Sequence, residues 1–357
     1  MRWAGHDAGV LADLRLRDFR CFEFLEFSPG TGRTFVCGAN AQGKTSILEA
    51  ACVLLRLQSP RTNSLAEAVR FSHPGFALDG HCGGAHLSCR YSGEGRSLAL
   101  DSKVQSRTDD YLDVARVAWF ANTDLELVRG SGSVRRRYLD FLGTQCVPGY
   151  RGTLRDYERA LRSRNALLKE GRSRREIAAF DAPLIEAGEV LLGARATLVE
   201  TLAPMARVAC AEISGGADDL EIACQPGVSG PFAAALESAR PQEERLRQTV
   251  VGPHRDDLVL TLNRLPAAGY SSEGQQRGIA LALKLAQARH LEAVQKRAPI
   301  LLVDDVFGEL DPGRRNRLLA SLPVGSQALI TTTFLEWADH APDDRVFHLK
   351  AGKLIEA

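Results

Sequence analysis

The sequence contains no apolar run near the ~20 residues that cross a bilayer, and no hydrophobic stretch near its start of the kind that marks secretion. These absences predict a soluble, cytoplasmic protein with no membrane partner. Net charge is also scarce: 45 Lys and Arg against 44 Asp and Glu leave +1. Any case for an anionic partner must therefore rest on a local stretch. The eight cysteines include no CxxC pair, and Cys37, Cys52, Cys210 and Cys224 sit inside apolar runs. That pattern predicts reduced thiols in the cytosol and excludes a disulfide scaffold. The nearest approach to a metal cluster is His81, Cys82, His86 and Cys89. Their spacing matches no structural zinc pattern, and their surroundings alternate as strand residues do.

What the chain has is length and apolar content, 357 residues at 45% hydrophobic, enough for one large domain or two to three ordinary ones. Near the start, LADLRLRDF alternates like a strand, TFVCG reads as a short buried strand, and KTSILEAACVLLRL carries helical spacing. From Gly75 to Val117, short alternating segments separated by Gly, Ser and Asp predict an antiparallel meander. Helical patterns follow: one charged helix over Tyr150 to Glu170, and a second marked by Leu184, Ala187, Leu191, Ala194, Leu198 and Leu202. Pro226 to Ala239 reads as loose chain. Beyond it come the strand DLVLTLN, a helix from Gln275 to about Lys296, the apolar run PILLVDD, a helix from Arg314 and the strand QALITTT. Continuous apolar strands alternating with helices predict a parallel sheet covered on both faces.

The segment Gly38-Ala39-Asn40-Ala41-Gln42-Gly43-Lys44-Thr45 satisfies G-x-x-x-x-G-K-[ST] and falls between the predicted strand and helix. In such a loop, backbone N–H groups and a helix N-terminus surround a phosphate. The glycines permit close approach with unusual φ angles. Lys44 would reach the β and γ oxygens, and the Thr45 hydroxyl would ligate Mg²⁺. A carboxylate at the end of a buried strand completes such a site, and Asp304 ends four apolar residues. Its neighbour Asp305 would orient an attacking water. Further along, Ser272 and Gly274 stand at the start of the long helix that runs on from Gln275, offering a second set of free N–H groups to an anion. Two phosphate-binding helix starts in one chain suit a nucleotide shared between two copies.

These residues resemble the ABC-type ATPases. Within them the sequence is most similar to the RecF family, bacterial recombination mediators related to the SMC proteins. The stretches LRLRDFRCF, GANAQGKTSILEA, DLELVRGSGSVRRRYLD, RNALLK, VGPHRDD, LLVDDVFGELD and ITTT carry the resemblance over nearly the whole chain. It implies an α/β fold: a P-loop ABC-type ATPase head, with a mixed sheet, flanking helices and an antiparallel meander, and an inserted α-helical arm domain. The head is expected at residues 9–125 and 246–357, and the arm at 126–245. By the same resemblance, Lys44, Asp304 and Asp305 are catalytic, with Thr45 and Asp304 holding Mg²⁺. Gly38 to Thr45, Arg20, Ser272, Gly274 and Gln275 would bind ATP. Glu309, Leu310 and Asp311 resemble the D-loop, and the segment around Asn122 and Asp124 is the nearest equivalent of the Q-loop. Two departures predict slow hydrolysis. Asp305 stands where a glutamate is usual, and Thr331, Thr332 and Thr333 stand where a switch histidine is usual.

Between Arg129 and Arg175 there are thirteen Lys or Arg against four Asp or Glu. Arg135, Arg136 and Arg137 are consecutive, and Arg155, Arg159 and Arg162 fall along one helical face. Such a face is either solvated or bound to DNA backbone; with the resemblance, these six become DNA-binding candidates, and Arg61 a second phosphate contact or a further DNA-binding candidate. His254, Arg255 and Asp256 read as a link between sheet and arm or as a charged turn. The function implied is an ATP-dependent homodimer that clamps duplex or gapped DNA, supports RecA loading and the SOS response with RecO and RecR, and resets by weak DNA-dependent hydrolysis. Two other classes compete. A transporter's nucleotide-binding subunit would call for a glutamate after Asp304 and a switch histidine. An SMC-like structural ATPase would need a longer insert for coiled-coil heptads.

Overall fold

The computed structural model describes residues 9–62, 64–338 and 341–357. The chain forms two compact units, one built from the chain up to Thr123 together with Gln287 onward, the other from Asp124–Ala286.

In the first unit a mostly parallel sheet has the strand order Val117–Ala121, Ile300–Asp304, Ala328–Thr332, Arg33–Cys37, Arg345–Lys350, Lys353–Glu356. The first five strands are parallel and the last is an antiparallel edge. Ile300 to Val303 are all buried, as expected of a strand covered on both faces. Register aligns Asp304 with Thr331 and Thr332 with Cys37, so the carboxyl ends of the central strands form one rim. A second, antiparallel sheet begins Phe22–Phe27, Leu11–Phe19, Gly75–Cys82, Ala85–Ser92, Gly95–Leu100. In Leu11–Phe19, the buried Leu14 and Leu16 keep the period of two, while Leu11 and Phe19, each three residues further along, are buried as well and break it. A register shift between Leu11 and Asp13 supplies the extra residue that restores the phase. The helix Lys44–Arg56 touches strands of both sheets, which explains why it is buried along nearly its whole length.

The histidine and cysteine group lies in the antiparallel sheet. His81 and His86 pair across neighbouring strands, His81 Nδ1 lies 2.7 Å from Asp13 Oδ2, and Cys82 and Cys89 are fully buried. Burial pushes the Cys82 thiol up to about 12 and the Cys89 thiol up to about 11. Among the described residues no group of three or more His, Cys, Asp or Glu is placed to hold a metal ion.

The second unit carries the expected helices Tyr150–Glu170 and Asp181–Ser214. Gly149 and Gly171, at φ 77° and 68°, bound the first of them. Two features depart from expectation. The stretch read as loose chain, Pro226 to Ala239, runs into the helix Phe232–Leu246, whose Phe232 and Leu236 pack against the long helices. The strand Asp257–Leu262 pairs with Leu220–Gln225, so residues 246–286, expected in the head, fold within the second unit.

Arginine networks tie this unit together. Arg195, its side chain 3% exposed, donates to Asp140 Oδ1 at 2.8 Å, to Asp256 Oδ2 at 2.8 Å and to the Pro253 carbonyl at 2.6 Å. Arg164 donates to Asp181 at 2.8 Å and Glu243 at 2.7 Å, all of them buried. GPHRDD is therefore fastened to the helices through the buried Arg195–Asp256 ion pair and the bond from Arg195 to the Pro253 carbonyl.

His254 belongs to the same cluster. Its Nε2 lies 3.0 Å from the Thr249 carbonyl and its Nδ1 2.6 Å from the Tyr157 hydroxyl. A carbonyl only accepts, so Nε2 carries the proton and neutral Nδ1 accepts from Tyr157. Burial, with the charges of Arg255, Arg136 and Arg195, lowers its pKa from 6.5 to about 4, against the Thr249 bond. The unfolded chain then takes up the proton first, so this stability is present above about pH 6.5 and lost as pH falls toward about 4. The full effect is about 3 kcal/mol. Urea denaturation at pH 7.5 and 5.0 should show a smaller pH dependence in His254→Asn than in wild type. Equal slopes would remove His254 from the account.

Candidate nucleotide site

The loop from Gly38 to Gly43 links the central strand Arg33–Cys37 to the helix Lys44–Arg56, at the carboxyl rim of the sheet. Its glycines are required by space as well as by angle. A Cβ on Gly38 would stand 2.7 Å from the Leu349 carbonyl oxygen. One on Gly43, already at φ 104°, would stand 2.7 Å from Cys21 Sγ and 2.8 Å from the Phe22 ring. Ala41 also adopts positive φ, 63°, and turns of this kind aim successive N–H groups into one concavity. Gln42 fastens the loop from outside, its Oε1 accepting from the Ala351 N–H at 3.3 Å.

Lys44 is 6% exposed, and its Nζ donates to the carbonyls of Gly38 at 2.7 Å and Ala39 at 3.0 Å. Burial lowers the pKa of its ammonium, opposed by the charges of Asp305 and Asp304. Thr45 Oγ1 donates to Asp304 Oδ1 at 2.8 Å, joining segments 259 residues apart. Burial raises the pKa of the Asp304 carboxyl, while the hydroxyls of Thr331 and Thr45 and the charges of Arg61 and Lys44 hold it down. Asp305 is raised by burial too, against Lys44. One hydroxyl and one carboxylate, both hard oxygen donors at the head of a phosphate loop, fit Mg²⁺, which takes few protein ligands and fills its shell with phosphate oxygens and water.

Arg20 and Arg61 meet on a residue the sequence did not single out. Glu49, on the helix behind the loop and fully buried, accepts from Arg20 Nε at 2.9 Å, Arg20 Nη2 at 2.6 Å, Arg61 Nη1 at 3.0 Å and Ser59 Oγ at 2.6 Å. Its position five residues after Lys44, inside an apolar helix, was the one available signal. Asn122 Nδ2 donates to the Asp305 carbonyl at 3.1 Å. Asp124, by contrast, is in the second unit, paired with Lys284 at 2.8 Å. Beyond Asp305, Phe307–Glu309 forms a short turn, and Asp311 caps the helix Pro312–Ser321 by accepting from the Arg314 N–H.

In the second unit, Ser272 is exposed at the head of the helix Glu273–Gln295. The Ser272 N–H donates to Gln275 Oε1 at 3.0 Å and the Gln275 N–H donates to Ser272 Oγ at 3.3 Å, a reciprocal cap. The Gln275 amide is further held by Asp218 Oδ1 at 2.9 Å. The hydroxyl proton of Ser272 is not used in the cap, so that side chain can still donate. Gly274 is in the first turn.

The basic candidates divide. Arg135 is clamped by Asp257 at 2.6 and 2.8 Å, and Arg136 donates to the Asp256 carbonyl at 2.6 Å, so both belong to the internal network. Arg137 is exposed. Arg155, Arg159 and Arg162 project from one helix with side chains 68%, 66% and 68% exposed, beside Asp156 and Glu158 at 3.7–3.8 Å.

A family model described as AAA domain matches residues 13–110. A DNA replication and repair protein RecF from Anaeromyxobacter sp. (strain Fw109-5) is 40% identical over 361 residues, covering 96% of this chain and 98% of the relative. One from Rippkaea orientalis is 36% identical over 375 residues, covering 96% and 99%. A solved structure of the recombination mediator protein RecF with ATPrS, in the RecFOR pathway, superposes with a TM-score of 0.88 at 27% identity, over 99% of this chain and 100% of that one. An Smc head bound to the C-winged helix domain of ScpA shares the fold at a TM-score of 0.55 and 14% identity, over 97% of each chain. The shared length, the phosphate loop and the carboxylate pair lead to one assignment: the chain belongs to the RecF family of DNA replication and repair proteins.

Proposed function

We propose that this chain is a cytoplasmic, ATP-controlled DNA-binding protein of recombinational repair and replication. The observation that carries the reading is the 2.8 Å contact between Thr45 and Asp304, which closes a phosphate loop and a metal carboxylate into one site. Mg²⁺ bound there would neutralise charge building up on the phosphate oxygens. Lys44 and the loop N–H groups hold the phosphates, and Asp305 orients the attacking water. Asp305 is shorter than glutamate and the neighbouring threonines take up no proton, so turnover is weak, and DNA stimulates it.

The exposed Ser272 cap supports the second half of the reading. Ser272, Gly274 and Gln275 of one copy contact the γ-phosphate held by Gly38 to Thr45 of another, so ATP joins the two copies. Arg137, Arg155, Arg159 and Arg162 then lie along duplex DNA beside single-strand gaps, while Arg135 and Arg136 hold the surface behind them. The partners are RecO and RecR, and the outcome is RecA loading and support of the SOS response. Sedimentation tests the mechanism. With ATP and Mg²⁺ the wild-type chain should form a dimer, and Ser272→Arg should remain monomeric while still binding ATP. A wild-type chain that stays monomeric with ATP and DNA overturns the shared-nucleotide mechanism.

A further inference from the structure

We infer that Thr331 is a positioning residue whose hydroxyl sets how tightly the site takes up Mg²⁺ together with ATP. The inference rests on the ATP site proposed above. Thr331 is fully buried near the end of the strand Ala328–Thr332, in register with Asp304. Its Oγ1 donates to Asp304 Oδ1 at 2.8 Å and accepts the Asp305 N–H at 3.0 Å, and its carbonyl receives the same N–H at 3.2 Å. One side chain thus holds the carboxylate of one aspartate and the backbone of the next.

That backbone needs holding. Asp305 has φ 52°, the left-handed region that aspartate tolerates better than most residues but still at some cost. The carboxylate needs holding for another reason. Two hydroxyls, Thr45 and Thr331, converge on Oδ1 of Asp304, both at 2.8 Å, which leaves Oδ2 available to a cation. Thr45 is itself a metal donor. Thr331 is not, so of these two hydroxyls it is the one that orients the carboxylate from outside the metal's own ligand set. The hydroxyl of Thr332 is used elsewhere, donating to the Phe334 carbonyl at 2.8 Å.

Partners of this kind, one bond removed from the metal, change affinity or activity by about 10- to 100-fold when lost. Thr331→Val keeps the shape and removes the hydroxyl. Binding of a fluorescent ATP analogue to the full chain, titrated in Mg²⁺ and in EDTA, separates the roles. In Thr331→Val, affinity in Mg²⁺ should fall about 10- to 100-fold while affinity in EDTA stays within about twofold. Thr331→Ser should restore the Mg²⁺ response. Thr331→Ala gives the same readout should the valine variant fold poorly. A valine variant with wild-type Mg²⁺ response, or one weakened equally in Mg²⁺ and EDTA, overturns the inference. A wild-type chain that binds no ATP in either condition instead overturns the site itself.

Discussion

Lys44→Met should weaken ATP binding by about 30- to 4,000-fold, the equivalent of losing one desolvated charged partner worth about 2–5 kcal/mol. The size of the effect follows from the surroundings of the ammonium. It is almost fully buried, fixed by two loop carbonyls, and faces two carboxylates across the place where phosphates would lie. Methionine fills nearly the same volume, and removing a charge that burial already disfavours costs the free protein little. The thermal melt should therefore stay near wild type while nucleotide binding and ATP-dependent retention of DNA are lost. Calorimetric titration with ATP, beside a melting curve, checks both halves. An affinity within about threefold of wild type would remove the loop from the nucleotide site.

Arg195→Met should destabilise the second unit by about 3–5 kcal/mol, because it leaves Asp256 buried and Asp140 half-buried without the guanidinium they share. Asp256 already has its pKa raised by burial, against the Gly227 N–H and Arg195. Adding Asp256→Asn to Arg195→Met should recover part of the loss, since one stranded charge goes with it. Arg155→Met, on an exposed face, should stay within about 0.5 kcal/mol. Urea denaturation of the variants measures all of these, and an Arg195 variant as stable as the Arg155 variant would show that the network bears no weight in folding.

That contrast also marks the limit of what the sequence can tell. Arg135, Arg136 and Arg137 look alike as letters, yet two are clamped inside the fold and one is free in solvent. The partners that decide this, Asp256 and Asp257, lie over a hundred residues away. The phosphate loop was legible because all its chemistry sits within eight residues between a strand and a helix. The helix Tyr150–Glu170 was legible to the residue because its charge pattern ends at glycines. Phe232–Leu246 was hidden by the helix breakers Pro226, Gly227, Gly230 and Pro231 directly before it and by Pro241 within it. The ribbon Arg345–Lys350 with Lys353–Glu356 was missed for lack of a continuous apolar run. Glu49 carries no local motif, and Thr331 was marked only as standing where a switch histidine is usual, since the roles of both exist only once distant strands and loops meet. The assignment of residues 246–286 failed for a related reason: the strand Asp257–Leu262 reads the same in either unit until its partner Leu220–Gln225 is known.

The strand that feeds the phosphate loop has both of its sheet neighbours, Ala328–Thr332 and Arg345–Lys350, in the last part of the chain. On the ribosome, Arg33–Cys37 therefore emerges first and waits with both edges bare through most of translation, roughly 15–60 s at bacterial elongation rates. The nascent chain must be shielded for that interval, and the nucleotide pocket is assembled only when the final strands emerge from the exit tunnel.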